Sequence, residues 1–244
     1  MAKKIVVTSG KGGVGKSSTV WGLCHSFVLQ GKKVLVIDFD IGLRSLDLFF
    51  GVSKKIVFDW GDIILDRCEL EKAYVDINGA TLLAAPQKFS KDFTTDAVKE
   101  LIGRLDNYFD IILLDAPAGI SDGFYLAACT ATTALVVSTP DNICVRCGSI
   151  TAEKLASLGI DDIRLIINRF SKKAAQNRKL LNIDDVIDSA GIQLIGVVPE
   201  DSYVTYCTSL GIKPPQDSSA AEAFLNISKR VLGEKVYLDL SILS

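Results

Sequence analysis

The sequence GKGGVGKS spans residues 10–17 and follows the apolar run IVVT at 5–8, from which only Ser9 separates it. It matches the pattern G-x-x-x-x-G-K-[ST] at every fixed position. Glycines let such a loop curl with its backbone N–H groups pointing inward, and the helix that follows adds its positive N-terminal end. The stretch therefore predicts a strand, a phosphate-binding loop and a helix, with Lys16 on the β- and γ-phosphates and the Ser17 hydroxyl on Mg²⁺.

Short apolar runs alternate with longer mixed segments along the rest of the chain. The runs lie at 5–8, 34–38, 81–86, 110–115, 134–139, 163–168 and 193–199. Each has the length and near-continuous apolar character of a parallel strand that is covered on both faces. Helical apolar spacing occurs at 16–30, 94–107, 148–158 and 218–232. The alternation predicts an α/β fold, with a doubly wound, mainly parallel sheet and helices on both faces.

The composition is that of a single globular domain. The chain has 244 residues, of which 48% are apolar and 23% charged, and its formal net charge is −2. This balance gives no overall attraction to nucleic acid or anionic lipid. The sequence begins without a secretory signal and has no apolar run near the roughly 18 residues that cross a bilayer. We therefore expect a cytoplasmic protein, with peripheral attachment at the inner membrane face left open.

Aspartates end two of the apolar runs. Asp38 and Asp40 lie at the end of the second run, and Asp115 ends the fourth. In doubly wound sheets the ligand sits beyond the carboxyl ends of the strands. We expect Asp115 to hold Mg²⁺ through water, Asp40 to orient the attacking water, and Asp38 to support that water and the metal shell. The alternative, that they are helix caps or turn residues, stays open.

A second lysine, Lys11, follows the first glycine of the loop. The stretch SGKGGVGKSS resembles the deviant Walker A loop of the MinD/ParA family of ATPases. The resemblance runs in register from residue 1 to residue 234, through DFDIGLRSLD at 38–47, DAPAGI at 115–120 and GVVPED at 196–201, and it is closest to the MinD branch. It implies an ATP hydrolase that binds ATP and Mg²⁺ and forms a homodimer, with Lys11 reaching the partner subunit's nucleotide.

The same resemblance assigns the site residues. The catalytic set is Lys11, Lys16, Asp38 and Asp40, and the metal set is Ser17 with Asp115. The nucleotide-binding loop comprises Gly10, Lys11, Gly12, Gly13, Val14, Gly15, Lys16, Ser17 and Ser18. The base side comprises Asn168, Pro199 and Asp201, and an amide such as that of Asn168 fits the donor and acceptor edge of adenine. A turn residue at a strand end is the alternative for Asn168.

The sequence departs from the family in the stretch TPDNICVRCGSI. Cys147 stands where relatives of the MinD branch have an aspartate, and Cys144 precedes it by three positions. A CxxC pair is found in redox and metal sites. The signal is weak here because the chain has one histidine, His25, and no second cysteine pair. The irregular spacing of the six cysteines indicates reduced thiols.

The C-terminus is a second departure. Members of the MinD branch commonly end in a basic amphipathic helix that binds the membrane, whereas this chain has no Lys or Arg after Lys235. Its last apolar residues alternate with polar ones, which fits a short strand at least as well as a helix. We therefore divide the chain into an ATPase domain at 1–234 and an apolar tail at 235–244. The tail should pack on its own domain or on a protein partner, not on anionic membranes.

Three functions remain open at this level. The leading one is a MinD-like switch that dimerises with ATP, answers to a protein activator or effector, and serves cell division or intracellular positioning. A ParA-like partition ATPase would need a basic DNA-binding face, and the only dense basic stretch is KKAAQNRK at 172–179. DNA binding is therefore not expected. An iron–sulfur carrier of the related nucleotide switches would place its cysteine pair after the strand at 163–168, one strand later than CVRC.

Overall fold

The computed structural model describes residues 1–215 and 217–243, and an eight-stranded sheet forms its centre. The strands are β1 (Lys3–Thr8), β2 (Val34–Asp38), β3 (Val75–Asp76), β4 (Thr81–Leu83), β5 (Ile111–Asp115), β6 (Thr133–Ser138), β7 (Asp162–Phe170) and β8 (Gln193–Pro199). Their order across the sheet is β3-β4-β2-β5-β1-β6-β7-β8. Neighbouring strands pair in parallel, except that β3 pairs with β4 in antiparallel fashion. The predicted doubly wound α/β fold is confirmed.

Helices cover both faces of this sheet. They are α1 (Lys16–Leu29), α2 (Leu46–Phe49), α3 (Trp60–Ile64), α4 (Thr95–Leu105), α5 (Asp122–Ala128), α6 (Asn142–Ser157), α7 (Lys172–Gln176), α8 (Ile183–Ala190), α9 (Ser202–Leu210) and α10 (Ser219–Val231). Every residue of β2, β5 and β6 is buried. Because side chains alternate between the faces of a strand, this burial requires one apolar core on each side of the sheet, and two such clusters are present.

Two predicted boundaries are wrong for identifiable reasons. The helix predicted at 148–158 begins at Asn142, because the Asp141 carboxylate caps it by accepting from the Cys144 N–H at 3.0 Å. The strand predicted at 81–86 ends at Leu83. Beyond it, the carbonyls of Ala84 and Pro86 accept hydrogen bonds from the N–H groups of Trp60, at the start of α3, and Gly42, in a turn, instead of from a neighbouring strand.

The site lies at the carboxyl edge of the central strands. Residues 9–15 connect β1 to α1, and β2 ends in register with β5, so that Asp38 pairs with Asp115. The α2 helix follows the Asp38–Ser45 segment. At its end, Gly51 packs backbone to backbone against Gly211, which ends α9. A Cβ atom on either glycine would overlap the other's backbone.

The C-terminal tail is irregular, so the strand that its alternation suggested is not formed. The Arg230 guanidinium holds its start, donating to the carbonyls of Val236 at 2.9 Å and Tyr237 at 2.8 Å and, on the β8 edge, to Ile195 at 3.0 Å. Leu243 is only 2% exposed and packs in the core, as expected of a tail that packs on its own domain. One arginine thus bonds both the tail and the edge strand. Within 1–215 and 217–243, none of the helices has the length and apolar character needed to cross a bilayer.

Candidate functional site

The phosphate loop is held by the end of β7. Gly15 has a φ of 93°, in the left-handed region that favours glycine, and a Cβ there would overlap the Asn168 amide. The buried Asn168 donates from Nδ2 to the Val14 carbonyl at 2.8 Å. Arg169 donates from Nη1 to the Gly13 carbonyl at 3.1 Å. Two consecutive residues of β7 thus fix the carbonyls of the loop, while its N–H groups stay available for an anion.

The other side of the loop packs on α6. A Cβ on Gly10 would overlap the backbone carbonyl of Cys147, so glycine is required for this close approach. The Ser9 hydroxyl donates to the Lys11 carbonyl at 2.8 Å. Gly119, after the Asp115 strand, donates its N–H to the Ser9 carbonyl at 3.0 Å. The loop is therefore enclosed by α6, by the segment after β5 and by β7.

Ser17 and Asp115, the predicted metal residues, are in contact. Ser17 Oγ donates to Asp115 Oδ2 at 2.7 Å, and the Ser45 hydroxyl donates to Ser17 Oγ at 3.3 Å. Asp115 is 1% exposed, and its Oδ1 has no hydrogen-bond partner within the described chain. A buried carboxylate oxygen left without a partner fits a role in binding a metal-bound water. Ser17 and Asp115 therefore fit Mg²⁺.

Asp38 organises the segment that follows β2. Its carboxylate accepts from the Asp40 N–H at 2.8 Å and from the Leu46 N–H at 3.3 Å. The Trp60 indole donates to the Asp38 carbonyl at 2.7 Å. Asp38 is 1% exposed, so its carboxylate is buried beneath this segment. It orients Asp40 through the hydrogen bond to the Asp40 backbone N–H.

The charges of the site are shifted by burial. Burial raises the pKa of Asp38 to about 7, against the hydrogen bonds from Asp40 and Leu46. Burial, followed by the neighbouring charge of Asp38, raises the pKa of Asp115 well above its ordinary value. Burial lowers the pKa of Lys16, while Asp115 and Asp40 oppose that shift. Together these shifts describe two carboxyls crowded into a dry site beside one ammonium, an arrangement that a bound divalent cation would relieve.

The two remaining catalytic candidates lie nearer the surface. Asp40 is half-buried, and burial raises its pKa against the charge of Lys16. Lys11 has an exposed side chain, while its backbone carbonyl accepts from the Ser9 hydroxyl. Its charge reaches Asp141: burial opposes the shift, but hydrogen bonds at Cys144 and Thr139 and the charge of Lys11 hold the pKa of Asp141 below its ordinary value.

The base-side residues have other contacts. Asn168 lies inside β7, not after it, and its amide nitrogen is used on Val14. Pro199 is the last residue of β8. The Asp201 carboxylate caps α9, accepting from the Tyr203 N–H at 2.8 Å, and also accepts from the Ala220 N–H at 3.2 Å. Adenine contacts by these three residues remain a prediction.

Three residues of the site escaped the sequence analysis. Each donates a hydrogen bond to a site residue: Ser45 to Ser17, Trp60 to Asp38, and Arg169 to the phosphate loop. Ser45 lies within the DFDIGLRSLD segment and Arg169 follows Asn168, so their neighbours in sequence were signals that could have found them. Trp60 is separated from Asp38 by 22 positions, and no local pattern indicates the contact.

Comparison with known proteins gives a consistent family. Residues 5–211 match the CobQ/CobB/MinD/ParA nucleotide binding domain. The septum site-determining protein MinD of Synechocystis sp. is 36% identical over 247 residues, covering 98% of this chain and 93% of that protein.

Solved structures agree with the sequence match. The MinD chain of the MinC:MinD cell division protein complex from Aquifex aeolicus superposes with a TM-score of 0.90 at 31% identity, covering 98% of both chains. The septum site-determining protein MinD complexed with Mg-ADP from Pyrococcus horikoshii superposes with a TM-score of 0.85 at 25% identity, covering 97% of this chain and 100% of that one.

Proposed function

The chain belongs to the CobQ/CobB/MinD/ParA family of nucleotide-binding proteins, and we propose that two copies of it dimerise around ATP. It is a MinD-like ATPase that uses ATP and Mg²⁺ and acts in placing the site of cell division. The observation that carries the ATPase chemistry is the hydrogen bond of 2.7 Å between Ser17 and Asp115. It joins the phosphate loop to the strand-end carboxylate and leaves one buried carboxylate oxygen for a metal-bound water.

Each residue of the site has a role in phosphoryl transfer to water. Lys16 and the loop N–H groups bind the β- and γ-phosphates, and the Ser17 hydroxyl with Asp115 binds Mg²⁺. A Mg²⁺ ion held by Ser17 and Asp115 would supply positive charge beside the phosphates. Asp40 accepts a hydrogen bond from the attacking water and orients it, while Asp38 fixes the Asp40 backbone at 2.8 Å.

Lys11 acts in trans in this proposal. Its side chain is exposed and its backbone carbonyl is held by the Ser9 hydroxyl, so the ammonium is accessible to a second subunit. The opposing surface would be the same edge of a second copy, because a two-fold axis brings identical faces together. The ammonium of one subunit then stabilises the charge on the other subunit's γ-phosphate, as a trans cation does in other phosphate-loop enzymes.

A protein effector is the partner that we propose. The relative from Aquifex aeolicus was solved in complex with MinC, so recognition of the ATP-bound dimer by a protein of that kind is the model for this chain. Lys172 and Lys173 lie on the five-residue helix α7, and this short basic stretch does not favour a DNA-binding role. Peripheral attachment to the inner membrane face would, in this proposal, come through such a partner.

Substitution of Lys11 tests the dimer. The Lys11→Ala variant should bind ATP like the wild type, since Lys16 and the loop remain, whereas dimerisation with Mg²⁺-ATP is lost and turnover falls by about 10³-fold. Light scattering and phosphate release at several protein concentrations measure both effects. Lys91→Ala, at an exposed lysine beyond the loop, is the matched control. Unchanged turnover that does not depend on protein concentration would refute the trans role.

A further inference from the structure

The CxxC pair lies beside the phosphate loop, on the first two turns of α6. Cys144 is 5% exposed and Cys147 is half-buried, and both are free thiols. In the part of the chain described, 1–215 and 217–243, no group of three or more His, Cys, Asp or Glu side chains is placed to hold a metal. The pair is a dithiol.

The spacing of the two cysteines permits a disulfide. Residues three apart on an α-helix have Cα atoms about 5 Å apart, from the rise and radius of the helix. Disulfides join Cα atoms roughly 4.4–6.8 Å apart, so this separation is suitable. The Cβ atoms of such a helical pair are about 5–6 Å apart, whereas a disulfide needs about 3.5–4.5 Å. Closing the bond must therefore tighten the helix at Cys147 by about 1 Å or more.

Such a movement cannot stay local. The Cys147 carbonyl is in close contact with Gly10, the first glycine of the phosphate loop, and it also accepts from the Thr151 hydroxyl at 2.8 Å. On the far side, Gly148 packs against Val136 of β6. With the sheet behind it and the loop in front, a displaced Cys147 backbone moves Gly10.

We propose that Cys144 and Cys147 form a reversible disulfide that deforms the phosphate loop and slows ATP hydrolysis. The oxidant is a low-molecular-weight disulfide. Cys147, the more exposed thiol, attacks it as thiolate and forms a mixed disulfide, releasing one thiol. Cys144 then attacks the Cys147 sulfur and releases the second thiol, so that both cysteines are oxidised and the small disulfide is reduced to two thiols.

The order of attack agrees with the surroundings of the thiols. Burial raises the pKa of the Cys144 thiol, which makes it the poorer first nucleophile. Once the mixed disulfide is formed, Cys144 is the nearest thiol on the same helix face. Thiol reductants reverse the reaction by the same exchange.

The experiment treats the full chain with oxidised glutathione. Arg146 lies between the two cysteines, so trypsin cuts there and a disulfide would keep the two flanking peptides joined. We expect this joined pair, with the mass of two hydrogen atoms lost. The steady-state ATPase rate should fall by about 10- to 100-fold, since displacement of about 1 Å near a reacting group can cost 10²-fold. Dithiothreitol should restore both.

Variants separate this pair from other thiols. Cys147→Ser, which lacks the attacking thiol, should keep its ATPase rate in oxidised glutathione, whereas Cys68→Ser, which retains the pair, should lose activity like the wild type. Cys144→Ser should stop at the mixed disulfide on Cys147, so that its two flanking tryptic peptides separate and one carries the mass of glutathione. Separated peptides after oxidation of the wild type would overturn the disulfide, and joined peptides with an unchanged ATPase rate would overturn the coupling to the loop. This inference rests on the proposed ATPase, but the peptide readout does not, so an inactive reduced protein would count against the function and not against the disulfide.

Discussion

Replacing Asp115 by asparagine should stabilise the nucleotide-free protein at neutral pH while abolishing Mg²⁺-dependent ATP hydrolysis. Asp38 and Asp115 are in register on neighbouring parallel strands, and both are 1% exposed. Without a cation the folded protein must keep two carboxyls in this dry site. Asparagine retains an oxygen that accepts from the Ser17 hydroxyl but carries no charge, so it removes the repulsion and preserves the contact.

The magnitude follows from the separation of the strands. Neighbouring strands lie about 4.8 Å apart, so two unit charges there repel by about 3 kcal/mol at an effective dielectric constant of about 20. Because the folded-state pKa of Asp38 is raised to about 7, the folded protein binds more protons than the unfolded one from about pH 4 to pH 7. The wild type therefore loses stability with rising pH in this window, by about 1.4 kcal/mol per pH unit for each extra proton.

Thermal unfolding from pH 5 to pH 8 without nucleotide measures the effect. We expect Asp115→Asn to exceed the wild type by about 3 kcal/mol at pH 8, or about 6–12 °C in Tm, and to show a smaller fall in stability across the range. Asp161→Asn, at an exposed aspartate before β7, controls for loss of one negative charge. If Asp115→Asn has the wild-type Tm at pH 8, or the wild-type slope with pH, the buried repulsion inferred from the structure is wrong.

Three further predictions concern other parts of the molecule. Asp40→Ala should bind Mg²⁺-ATP but not hydrolyse it, so that chromatography with Mg²⁺-ATP shows a persistent dimer; a monomer with normal turnover would contradict this. Burial, aided by the charge of Lys213, lowers the pKa of His25 to about 4, so its contribution to stability is present above pH 6.5 and is lost as pH falls towards 4, by about 3 kcal/mol in all. The Tm of His25→Phe should consequently rise relative to that of the wild type between pH 7 and pH 5, and a constant difference would refute the lowered pKa. The ATP-bound protein should not sediment with anionic liposomes, and ATP-dependent sedimentation that disappears on deleting residues 235–244 would restore a membrane role for the tail.

The sequence was sufficient to predict the central strands of the sheet and the meeting of Ser17 with Asp115 at its edge. Parallel strands covered on both faces are apolar at every position, so their existence could be seen without any knowledge of contacts. Ser17 and Asp115 could be expected to meet because the loop pattern and the strand end each fix a position at the same edge of the sheet.

Features that depend on contacts between distant segments could not be predicted. The tail has the alternating pattern of a strand, but it is irregular in the structure. Arg230 donates hydrogen bonds both to the tail backbone and to the β8 edge, and the sequence of the tail does not indicate these contacts. Asp201 was expected near the base because of its position after β8. Its carboxylate also accepts from the N–H of Ala220, 19 positions away, and its position after β8 does not indicate this contact; the adenine contact stays a prediction. Gly10 and Cys147 lie in contact although they belong to different motifs far apart in the sequence, and neither motif indicates this contact.

The contact between Gly51 and Gly211 restricts how the nucleotide pocket can open. One glycine ends the helix that follows the Asp38–Ser45 segment, and the other ends the helix that follows β8. Backbone meets backbone between them, with no side chain that could change rotamer and absorb a movement. We therefore expect the γ-phosphate side and the base side of the pocket to move together as one rigid unit. Release of ADP and the return of the Asp38–Ser45 segment to its nucleotide-free position would then occur in a single step.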